Sequence, residues 1–394
     1  MRILVLSFYY QPDLCAGSFR CTALVEALKK HSNCEIDIIT TLPNRYASFS
    51  ADALRIEKEG NVTIHRVALP SHKSGMADQV KAFFTYYREA RKIVDNENYG
   101  VVYATSSRLF TAFLGARIAN KKRLPLYLDI RDIFVDTIKD VLSPKIAFFA
   151  KPVFSFIEKY TFKRAQRINL VSRGFKQYFE QRYPETEYCW YTNGIDKEFL
   201  DINVIEEVAP IRNKILQVTY AGNMGEGQGL HNILPKLAKM LEGRVEFNVI
   251  GDGGRKPQLQ ETLILNGVTN VKLLPPVSRE ELITCYQKAD ILFLHLNDYP
   301  AFKKVLPSKI FEYAAMGKPV WAGVSGYAAE FLKADVENSA VFEPGNHQQA
   351  LQLLHSLDMR LTKRDDFITK YSRANIMSQM AKDLIDFTSS GVKL

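Results

Sequence analysis

One local pattern recurs along this chain and most constrains its fold: a short, almost continuous apolar run followed by a helical segment. Such runs are typical of strands buried on both faces, and their alternation with helices predicts a doubly wound α/β fold with parallel sheets. In the first half the predicted strands are 1–8, 35–41, 62–67, 101–106, 124–130, 167–172 and 187–191, and the predicted helices are 19–30, 77–94, 109–120 and 143–165.

The same pattern starts again in the second half, which predicts a second domain. Asn193-Gly194 is a turn signal, and the polar stretch 196–213 lacks clear periodicity, so we place a boundary there. Two similar domains suit a ligand held in a cleft between them, at the carboxyl ends of the strands. We predict an N-terminal Rossmann-like domain at 1–195, a C-terminal Rossmann-like domain at 196–364, and a helical segment at 365–394 that packs back on the first domain. The later predicted strands are 215–222, 245–254, 270–277, 290–296, 318–323 and 339–344, and the helices include 230–241, kinked at or beginning near Pro235, and 365–388.

The composition is that of a soluble globular protein, with 46% apolar and 24% charged residues in a chain of 394. No apolar run approaches the roughly 20 residues that span a bilayer. The opening MRILVLSF is too short for a signal peptide, so we expect a cytoplasmic protein. The five cysteines are scattered without metal spacing, so neither disulfides nor a zinc site is expected.

The excess positive charge lies entirely in the first half. Residues 1–195 carry 29 Lys and Arg against 19 Asp and Glu, a balance of +10, which leaves −1 for the remainder of a chain whose total is +9. Two stretches, 76–94 and 139–167, mix basic, aromatic and apolar residues in the manner of helices that lie in a membrane interface. No recognised nucleic-acid-binding motif accompanies the charge. The alternative is that the aromatic residues of the second stretch are core residues: Phe148, Phe149, Phe154 and Phe156.

A short helix with both ends marked follows a predicted strand of the second half. Pro307–Val320 reads PSKIFEYAAMGKPV, in which Ser308 suits the N-cap and Gly317 the position after the last turn. Lys309 and the N–H groups of the helix start suit a phosphate, whereas Glu312, one turn further on, would repel one. Glu312 becomes useful if it accepts hydrogen bonds from neutral hydroxyls, such as those of a ribose attached to a diphosphate. The alternative is an exposed Lys–Glu pair.

Four further loops follow predicted strands, where open α/β sheets bind ligands. Ala16-Gly17-Ser18 leads into the helix predicted from Phe19, with Ser18 as its cap. Asp129-Ile130-Arg131-Asp132 places three charges at a strand end, where a structural ion pair is the alternative. Gly222–Gly229 offers backbone N–H groups to a phosphate without matching a dinucleotide fingerprint, and Gly251–Gly254 is a second tight loop or a plain turn.

Together these loops resemble the retaining glycosyltransferases of family four. That family has the GT-B fold, in which two Rossmann-like domains with parallel sheets face a central cleft. The nearest likeness is to bacterial O-antigen and capsule enzymes, including N-acetyl-fucosamine-type transferases. The resemblance covers nearly the whole chain and rests on the Gly17 loop, Asn193-Gly194-Ile195-Asp196, Gly222–Gly229, Gly251-Asp252-Gly253, Ala289-Asp290 and Pro307–Val320, with Tyr9-Tyr10-Gln11-Pro12 and 129–132 typical of the bacterial branch.

The resemblance implies a reaction and a role for individual residues. The donor would be a nucleotide-diphosphate sugar, with UDP as the expected nucleotide and an N-acetylated deoxy-amino sugar. The acceptor would be a polyprenyl-diphosphate-linked saccharide, with the enzyme peripheral on the inner face of the cytoplasmic membrane. Transfer would retain the anomeric configuration without a metal or another cofactor. The implied donor-binding residues are Gly222, Asn223, Gly225, Gly251, Asp252, Gly253, Pro276, Val277, Lys304, Leu306, Pro307, Ser308, Lys309 and Glu312; the acceptor-binding residues are Ala16, Gly17, Ser18 and Arg20; the catalytic residues are Arg131, Asp132, Lys309 and Glu312.

Three features depart from the wider family pattern. Lys304 stands where a first glutamate often precedes the position of Glu312. Asn223 and Gln228 stand where the glycine-rich loop often carries an arginine and a lysine, and Arg131-Asp132 replaces a common histidine. The positive charge for the diphosphate is then expected from Lys303, Lys304 and Lys309.

Two other functions stay open from the sequence. A nucleotide-sugar 2-epimerase would share the two-domain architecture, but it would not need a basic, membrane-facing first half. A non-catalytic nucleotide-sugar-binding subunit would account for the missing glutamate and loop cations. The charge asymmetry favours the transferase over the epimerase.

Overall fold

The computed structural model describes residues 1–13, 15–44, 52–70, 76–106, 109–133, 144–200 and 214–389. They form two α/β units, one of Met1–Asn193 with Arg373–Leu394 and one of Gly194–Ser372. The division lies two residues before the predicted boundary. It also splits the predicted segment 365–394, because the first helix of that segment belongs to the second unit. The predicted linker at 196–213 lies partly outside the described residues.

The elements alternate as the apolar runs predict. The strands are β1 Arg2–Leu6, β2 Glu35–Thr41, β3 Ile56–Glu59, β4 Val62–Val67, β5 Val101–Thr105, β6 Leu126–Ile130, β7 Arg167–Leu170, β8 Glu187–Cys189, β9 Leu216–Ala221, β10 Val245–Ile250, β11 Val271–Leu274, β12 Ile291–His295, β13 Val320–Gly323 and β14 Ser339–Phe342. The helices are α1 Ala16–Lys29, α2 Met76–Val94, α3 Leu109–Lys122, α4 Pro144–Arg164, α5 Lys176–Arg182, α6 Leu230–Met240, α7 Lys256–Leu265, α8 Arg279–Lys288, α9 Lys309–Ala315, α10 Tyr327–Asp335, α11 His347–Leu354, α12 Asp365–Tyr371 and α13 Arg373–Ser389.

The first unit is built on a sheet with the strand order β3-β4-β2-β1-β5-β6-β7-β8, in which only β3 is antiparallel among the described strands. The β1-to-β2 connection runs in the opposite direction along the sheet from the connections that carry α2, α3 and α4. Because such crossovers are right-handed, α1 lies on one face and α2, α3 and α4 lie on the other. The C-terminal helix α13 packs against α1.

The second unit has a parallel sheet in the order β11-β10-β9-β12-β13-β14 over its described residues. Its core is a cluster of rings and aliphatic side chains that includes Phe247, Phe293 and Trp321, all at most 1% exposed. The chain leaves β9 and β12 toward opposite edges of the sheet, so a crevice forms at the carboxyl ends of these two strands. The helix α6 runs from Leu230 through Pro235 without interruption.

Two local predictions are wrong. Strand β3 was not expected, because its sequence IEKE is a charged edge strand without an apolar run. Helix α1 begins at Ala16, not Phe19, and Cys15 occupies the cap position. Ser18 therefore lies in the first turn, where its side chain is buried, and it does not cap the helix.

Within the described ranges, no helix has the length and apolar composition needed to cross a bilayer.

Candidate functional site

The predicted donor-binding residues of the second unit all follow the carboxyl ends of its strands. The Gly222 loop follows β9, the Gly251 loop follows β10, and Pro276 and Val277 follow β11. The segment from Lys304 to Glu312 follows β12 through a single turn of 3-10 helix at Phe302–Lys304. Because neighbouring parallel strands end at the same edge, the topology brings these loops to the crevice between β9 and β12.

Two glycine loops are packed backbone against backbone. A Cβ atom on Gly251 would lie 2.0 Å from the carbonyl oxygen of Gly222, and one on Gly253 would lie 2.6 Å from backbone atoms of Met224. Both glycines have positive φ angles, 138° and 158°. The N–H groups of Met224 and Arg255 bond across the contact to Asp252 and Met224. Side chains at Gly251 or Gly253 would therefore separate the loops.

Lys309 crosses directly over the first glycine loop. A Cβ atom on Gly222 would lie 2.4 Å from the Lys309 Nζ atom, so the lysine occupies the space that the glycine leaves. The ammonium group donates to the Tyr220 hydroxyl at 2.8 Å and sits 3.9 Å from the centre of that ring. The same hydroxyl donates to the Asn223 carbonyl at 2.6 Å. Tyr220, which sequence reasoning missed, thus links Lys309 to the loop.

The charge state of Lys309 is sensitive to its surroundings. Burial lowers the pKa of its ammonium group to about 7, and the carboxylate of Glu312 only partly opposes that shift. A phosphate beside Lys309 would favour the charged form.

Glu312 lies at the end of the first turn of α9 and is 9% exposed, so the alternative of an exposed surface pair is wrong. Its carboxylate lies 3.7 Å from the guanidinium of Arg279, which also binds the Asp196 carboxylate and sits 4.8 Å from the centre of the Phe199 ring. Arg279 therefore fixes the carboxylate from one side. Sequence reasoning missed Arg279, because positions 196, 279 and 312 are too far apart in the chain for spacing to indicate contact.

The helix that carries both residues begins where predicted, with Ser308 at the N-cap position, but without the expected side-chain cap. Helix α9 spans Lys309–Ala315, and Ser308 has helical backbone angles without a side-chain cap bond. Its end agrees with the prediction, because Gly317 takes a φ angle of 68° just after the last turn. The side chain of Lys309, more than the helix start, is what the structure offers to an anion.

Several of the backbone donors expected of the glycine-rich loop are engaged within the protein. The N–H groups of Gly222, Met224 and Gly225 donate within the protein, to Ile250, Asp252 and the Gln228 side chain. Asn223 and Gln228, which replace the expected cations, bond to each other at 2.8 Å. The charge for a diphosphate must therefore come from outside these positions.

Other lysines and arginines around this edge are engaged with carboxylates. Lys303 lies 3.0 Å from Asp298, and Arg255 lies 2.5 Å from Glu226. Lys304 is half-buried in its 3-10 turn. Arg255 is a missed cation that follows Gly254 directly, and its side chain is 47% exposed.

In the first unit, Arg20 has a structural role, so its prediction as an acceptor-binding residue is wrong. Its guanidinium forms a bidentate pair with Asp129, at 2.8 and 3.0 Å, and donates to the carbonyls of Tyr191 and Thr192. Both side chains of the pair are at most 2% exposed. Burial alone would raise the pKa of Asp129, but Arg20 and Asn169 hold it below its usual value. The structural alternative for this strand end thus holds for Asp129.

Arg131 and Asp132 continue from this buried pair at the carboxyl end of β6. The N–H of Arg131 donates to the Ser106 hydroxyl at 2.9 Å. Among the described residues, the Asp132 Oδ1 and Arg131 Nε atoms are buried without a hydrogen-bond partner. Burial raises the pKa of Asp132 to about 6, although Arg131 opposes the shift. Two polar groups held in this way suit a bound hydroxyl that would complete their hydrogen bonds.

The predicted acceptor-binding residues Ala16 and Gly17 lie in the first turn of α1, with Gly17 buried.

The raised pKa of Asp132 makes a prediction about stability. Since the folded protein holds this proton more tightly than the unfolded chain, the free energy of unfolding should fall as pH rises from about 4 to about 6. The full shift of two pKa units would give about 3 kcal/mol, and partial solvent contact reduces our expectation to about 1–2 kcal/mol. Urea denaturation between about pH 4 and about pH 7 should show this fall in the free energy of unfolding for the native chain and not for Asp132→Asn. An equal fall in both would contradict it.

Within the part of the chain that the structure describes, no group of three His, Cys, Asp or Glu side chains is arranged to hold a metal ion. The independence of metal remains a prediction.

Two family models match the chain, one in each unit. The model described as "Glycosyl transferase 4-like domain" matches residues 18–189, and "Glycosyl transferases group 1" matches residues 216–357. Among curated proteins, the "Putative colanic acid biosynthesis glycosyl transferase WcaI" of Escherichia coli is 24% identical over 80% of this chain and 82% of its own. An uncharacterized glycosyltransferase of Methanocaldococcus jannaschii is 22% identical over 94% of each chain.

Solved structures share the fold at low sequence identity. Sucrose-phosphate synthase from Thermosynechococcus elongatus superposes with a TM-score of 0.75 at 14% identity, covering 99% of both chains. Anabaena HepE, solved in complex with UDP-glucose, gives a TM-score of 0.66 at 16% identity, covering 98% of this chain and 100% of its own. These likenesses extend over both units.

Proposed function

We infer the reaction of this chain from its family, because the chain belongs to the glycosyltransferases of the GT-B type. The predicted fold class is confirmed. We propose that it is a retaining transferase that moves an N-acetylated deoxy-amino sugar from a UDP-linked donor. The acceptor is a polyprenyl-diphosphate-linked saccharide in O-antigen or capsule biosynthesis. The observation that carries the proposal is the placement of Lys309 over Gly222 with buried Glu312 one turn away. The colanic acid relative supports the pathway, and the UDP-glucose complex of HepE supports the nucleotide.

The second unit binds the donor in this proposal. Glu312, oriented by Arg279, accepts hydrogen bonds from the ribose hydroxyls. Lys309 carries the charge for the diphosphate, aided by Lys304. The nucleobase lies against Pro276 and Val277, beside the Gly251 loop. These roles fit the charges of the two side chains, because a carboxylate accepts hydrogen bonds from neutral hydroxyls and an ammonium group attracts an anion.

The transfer step needs no nucleophile from the protein. The acceptor oxygen forms a bond to the anomeric carbon on the face from which the diphosphate departs, and the bond from that carbon to the diphosphate oxygen breaks. The acceptor proton passes to the departing phosphate, so the products are the glycoside and UDP. Lys309 stabilises the charge that develops on the leaving group, and catalysis is mainly positioning and electrostatic stabilisation.

The first unit binds the acceptor in this proposal. Arg131 and Asp132 receive the acceptor hydroxyl, with Ala16 and Gly17 lining its approach. Arg20 acts through Asp129, which precedes Arg131 by two residues, and is a positioning residue. The basic helices of this unit bring the enzyme to the membrane that holds the lipid-linked acceptor.

The ribose role of Glu312 predicts a selective loss. Glu312→Ala should weaken UDP binding by about 1.5–3 kcal/mol, or roughly 10–150-fold, the range for hydrogen bonds to a charged group. The native chain should bind 2′-deoxy-UDP more weakly than UDP, and the variant should bind both about equally. Glu330→Ala, on the exposed face of α10, is the matched control and should change neither affinity. If the two nucleotides differ as much in Glu312→Ala as in the native chain, the carboxylate does not read the ribose.

A thermal-shift screen of nucleotide sugars tests the donor class. A ligand at about 100 times its dissociation constant stabilises the folded state by about 2.7 kcal/mol. UDP-linked sugars should raise the melting temperature of the native chain and raise that of Glu312→Ala less. Stabilisation by GDP-linked or dTDP-linked sugars alone would overturn the choice of UDP. The comparisons do not favour the epimerase alternative.

A further inference from the structure

The positive charge of the first unit is concentrated on one helical layer. Helices α2, α3 and α4, which share a face of the sheet, contain twelve Lys and Arg against three Asp and Glu, a balance of +9. This equals the net charge of the whole chain. The three helices are neighbours, because the ring of Phe110 on α3 lies 4.9 Å from Phe83 on α2 and 5.7 Å from Phe154 on α4.

The same layer exposes large apolar side chains. Phe84 on α2 is 67% exposed and Phe156 on α4 is 71% exposed, so Phe156 is not a core residue. Val80 and Val153 are more than half exposed beside them. Basic residues around exposed aromatic rings are the composition of a surface that meets an anionic membrane.

One stripe of α2 leads from this apolar surface to a cavity. Val80, Phe84, Tyr87 and Arg91 follow one another at helical spacing and so lie along the same face. The cavity has a volume of about 120 Å³ and lies between the C-terminal ends of α2 and α3, lined by Tyr87, Arg91, Asp95, Arg117, Lys121 and Lys122 among others. That volume is room for about four waters, at about 30 Å³ each, and a phosphate group fits it.

The lining charges do not cancel. Asp95 is paired with Lys121 at 2.7 Å, which lowers the pKa of that carboxyl and keeps it ionised. Lys122 donates to backbone carbonyls at the end of α2. Three positive charges therefore remain on the cavity lining, those of Lys122, Arg91 and Arg117, and the ammonium group of Lys122 is already bound to carbonyls. The Tyr87 hydroxyl beside its guanidinium raises the pKa of Arg117, so this side chain keeps its positive charge.

The cavity is separate from the residues proposed for the acceptor. Lys121 and Lys122 end α3 just before β6, whereas Arg131 and Asp132 follow the other end of that strand. The five residues of β6 put about 17 Å between the two ends. A ligand in the cavity therefore leaves the acceptor residues unoccupied.

We propose that this cavity binds the phosphate of an anionic lipid headgroup, through the guanidinium groups of Arg91 and Arg117, while Phe84 and Phe156 enter the interface. The proposal deepens the proposed function, since it rests on the enzyme working at a membrane. The source of the phosphate is the lipid, because the exposed apolar stripe runs directly into the cavity. A soluble phosphate would make no contact with that apolar stripe.

Vesicle flotation with the full chain tests the proposal. The probes are vesicles of phosphatidylcholine with and without phosphatidylglycerol, and glycerol 3-phosphate in free solution. The test variant is Arg91→Gln with Arg117→Gln. The matched control is Lys81→Gln with Lys159→Gln, which removes the same charge from exposed positions of the same layer outside the cavity. UDP binding by all three proteins reports on the fold and on the donor site.

We expect the native chain to bind only the anionic vesicles, and the cavity variant to bind them roughly tenfold more weakly than the control variant does, since charge-assisted hydrogen bonds are stronger than screened surface attraction. UDP affinity should be the same in all three. Equal weakening by the two variants, or no vesicle binding by the native chain, would overturn the proposal. Cavity-dependent binding of glycerol 3-phosphate with unchanged vesicle binding would also overturn it. A failure to transfer sugar would leave these vesicle results standing, so the two proposals fail separately.

Discussion

We expect Lys309→Met to lower kcat/KM for sugar transfer by about 10²–10³, the loss typical of removing one donor that stabilises a developing anion. The substitution keeps the length of the side chain above Gly222 but removes the charge that would face the departing diphosphate. A coupled assay of UDP release measures the effect. Lys288→Met, at the exposed end of α8, is the control and should stay within about twofold of the native chain.

The same residue predicts a pH dependence. Since burial lowers the pKa of Lys309 to about 7, the free protein loses the ammonium charge as pH rises through that value, and a bound diphosphate restores it. UDP affinity of the native chain should therefore fall above about pH 7, by up to about tenfold per pH unit, with proton uptake on binding. Lys309→Met should show no such slope. Parallel profiles for the two proteins would remove Lys309 from the diphosphate site.

Arg20→Met should strongly destabilise the first unit. It leaves the Asp129 carboxylate buried without its bidentate partner and frees the carbonyls of Tyr191 and Thr192. Breaking one side of a buried pair costs about 3–5 kcal/mol. Replacing both partners, as Arg20→Met with Asp129→Leu, should recover part of the loss, because the uncompensated charge is then gone.

The two tryptophans allow this effect to be measured in one unit. Trp190 belongs to the first unit and Trp321 to the second, so a Trp321→Phe background leaves fluorescence that reports on the first unit alone. Urea unfolding in that background should show the loss in Arg20→Met. A difference under about 1 kcal/mol, the value of an exposed pair, would contradict the account of this network.

The strands and the candidate donor loops could be predicted from the sequence because each rests on a local signal. Parallel strands such as β5, buried on both faces, read as continuous apolar runs, and Gly251 and Gly317 mark backbone shapes that other residues rarely adopt. Glu312 was predicted as a ligand for hydroxyls because its charge conflicts with that of a phosphate.

The remaining features depend on contacts between distant positions. Tyr220 and Arg279 touch Lys309 and Glu312 only after folding, and nothing in their spacing indicates it. Arg20 was assigned to the acceptor only by resemblance to the family. Its bidentate pair with Asp129 joins positions 109 residues apart, which no sequence pattern indicates. The N–H groups of Gly222, Met224 and Gly225, which were expected to face a phosphate, bond instead to Ile250, Asp252 and Gln228.

Transfer of sugar by the purified chain tests the central claim most directly. The protein is incubated with UDP-N-acetyl sugars and a polyprenyl-diphosphate-linked saccharide, and both UDP and the lipid-linked product are quantified. The account predicts one UDP released for each sugar added to the lipid, with the configuration of the donor retained at the anomeric carbon and the rate lost in Lys309→Met. Inversion at C2 of the donor without an acceptor, or binding of UDP-sugars without any transfer, would contradict it.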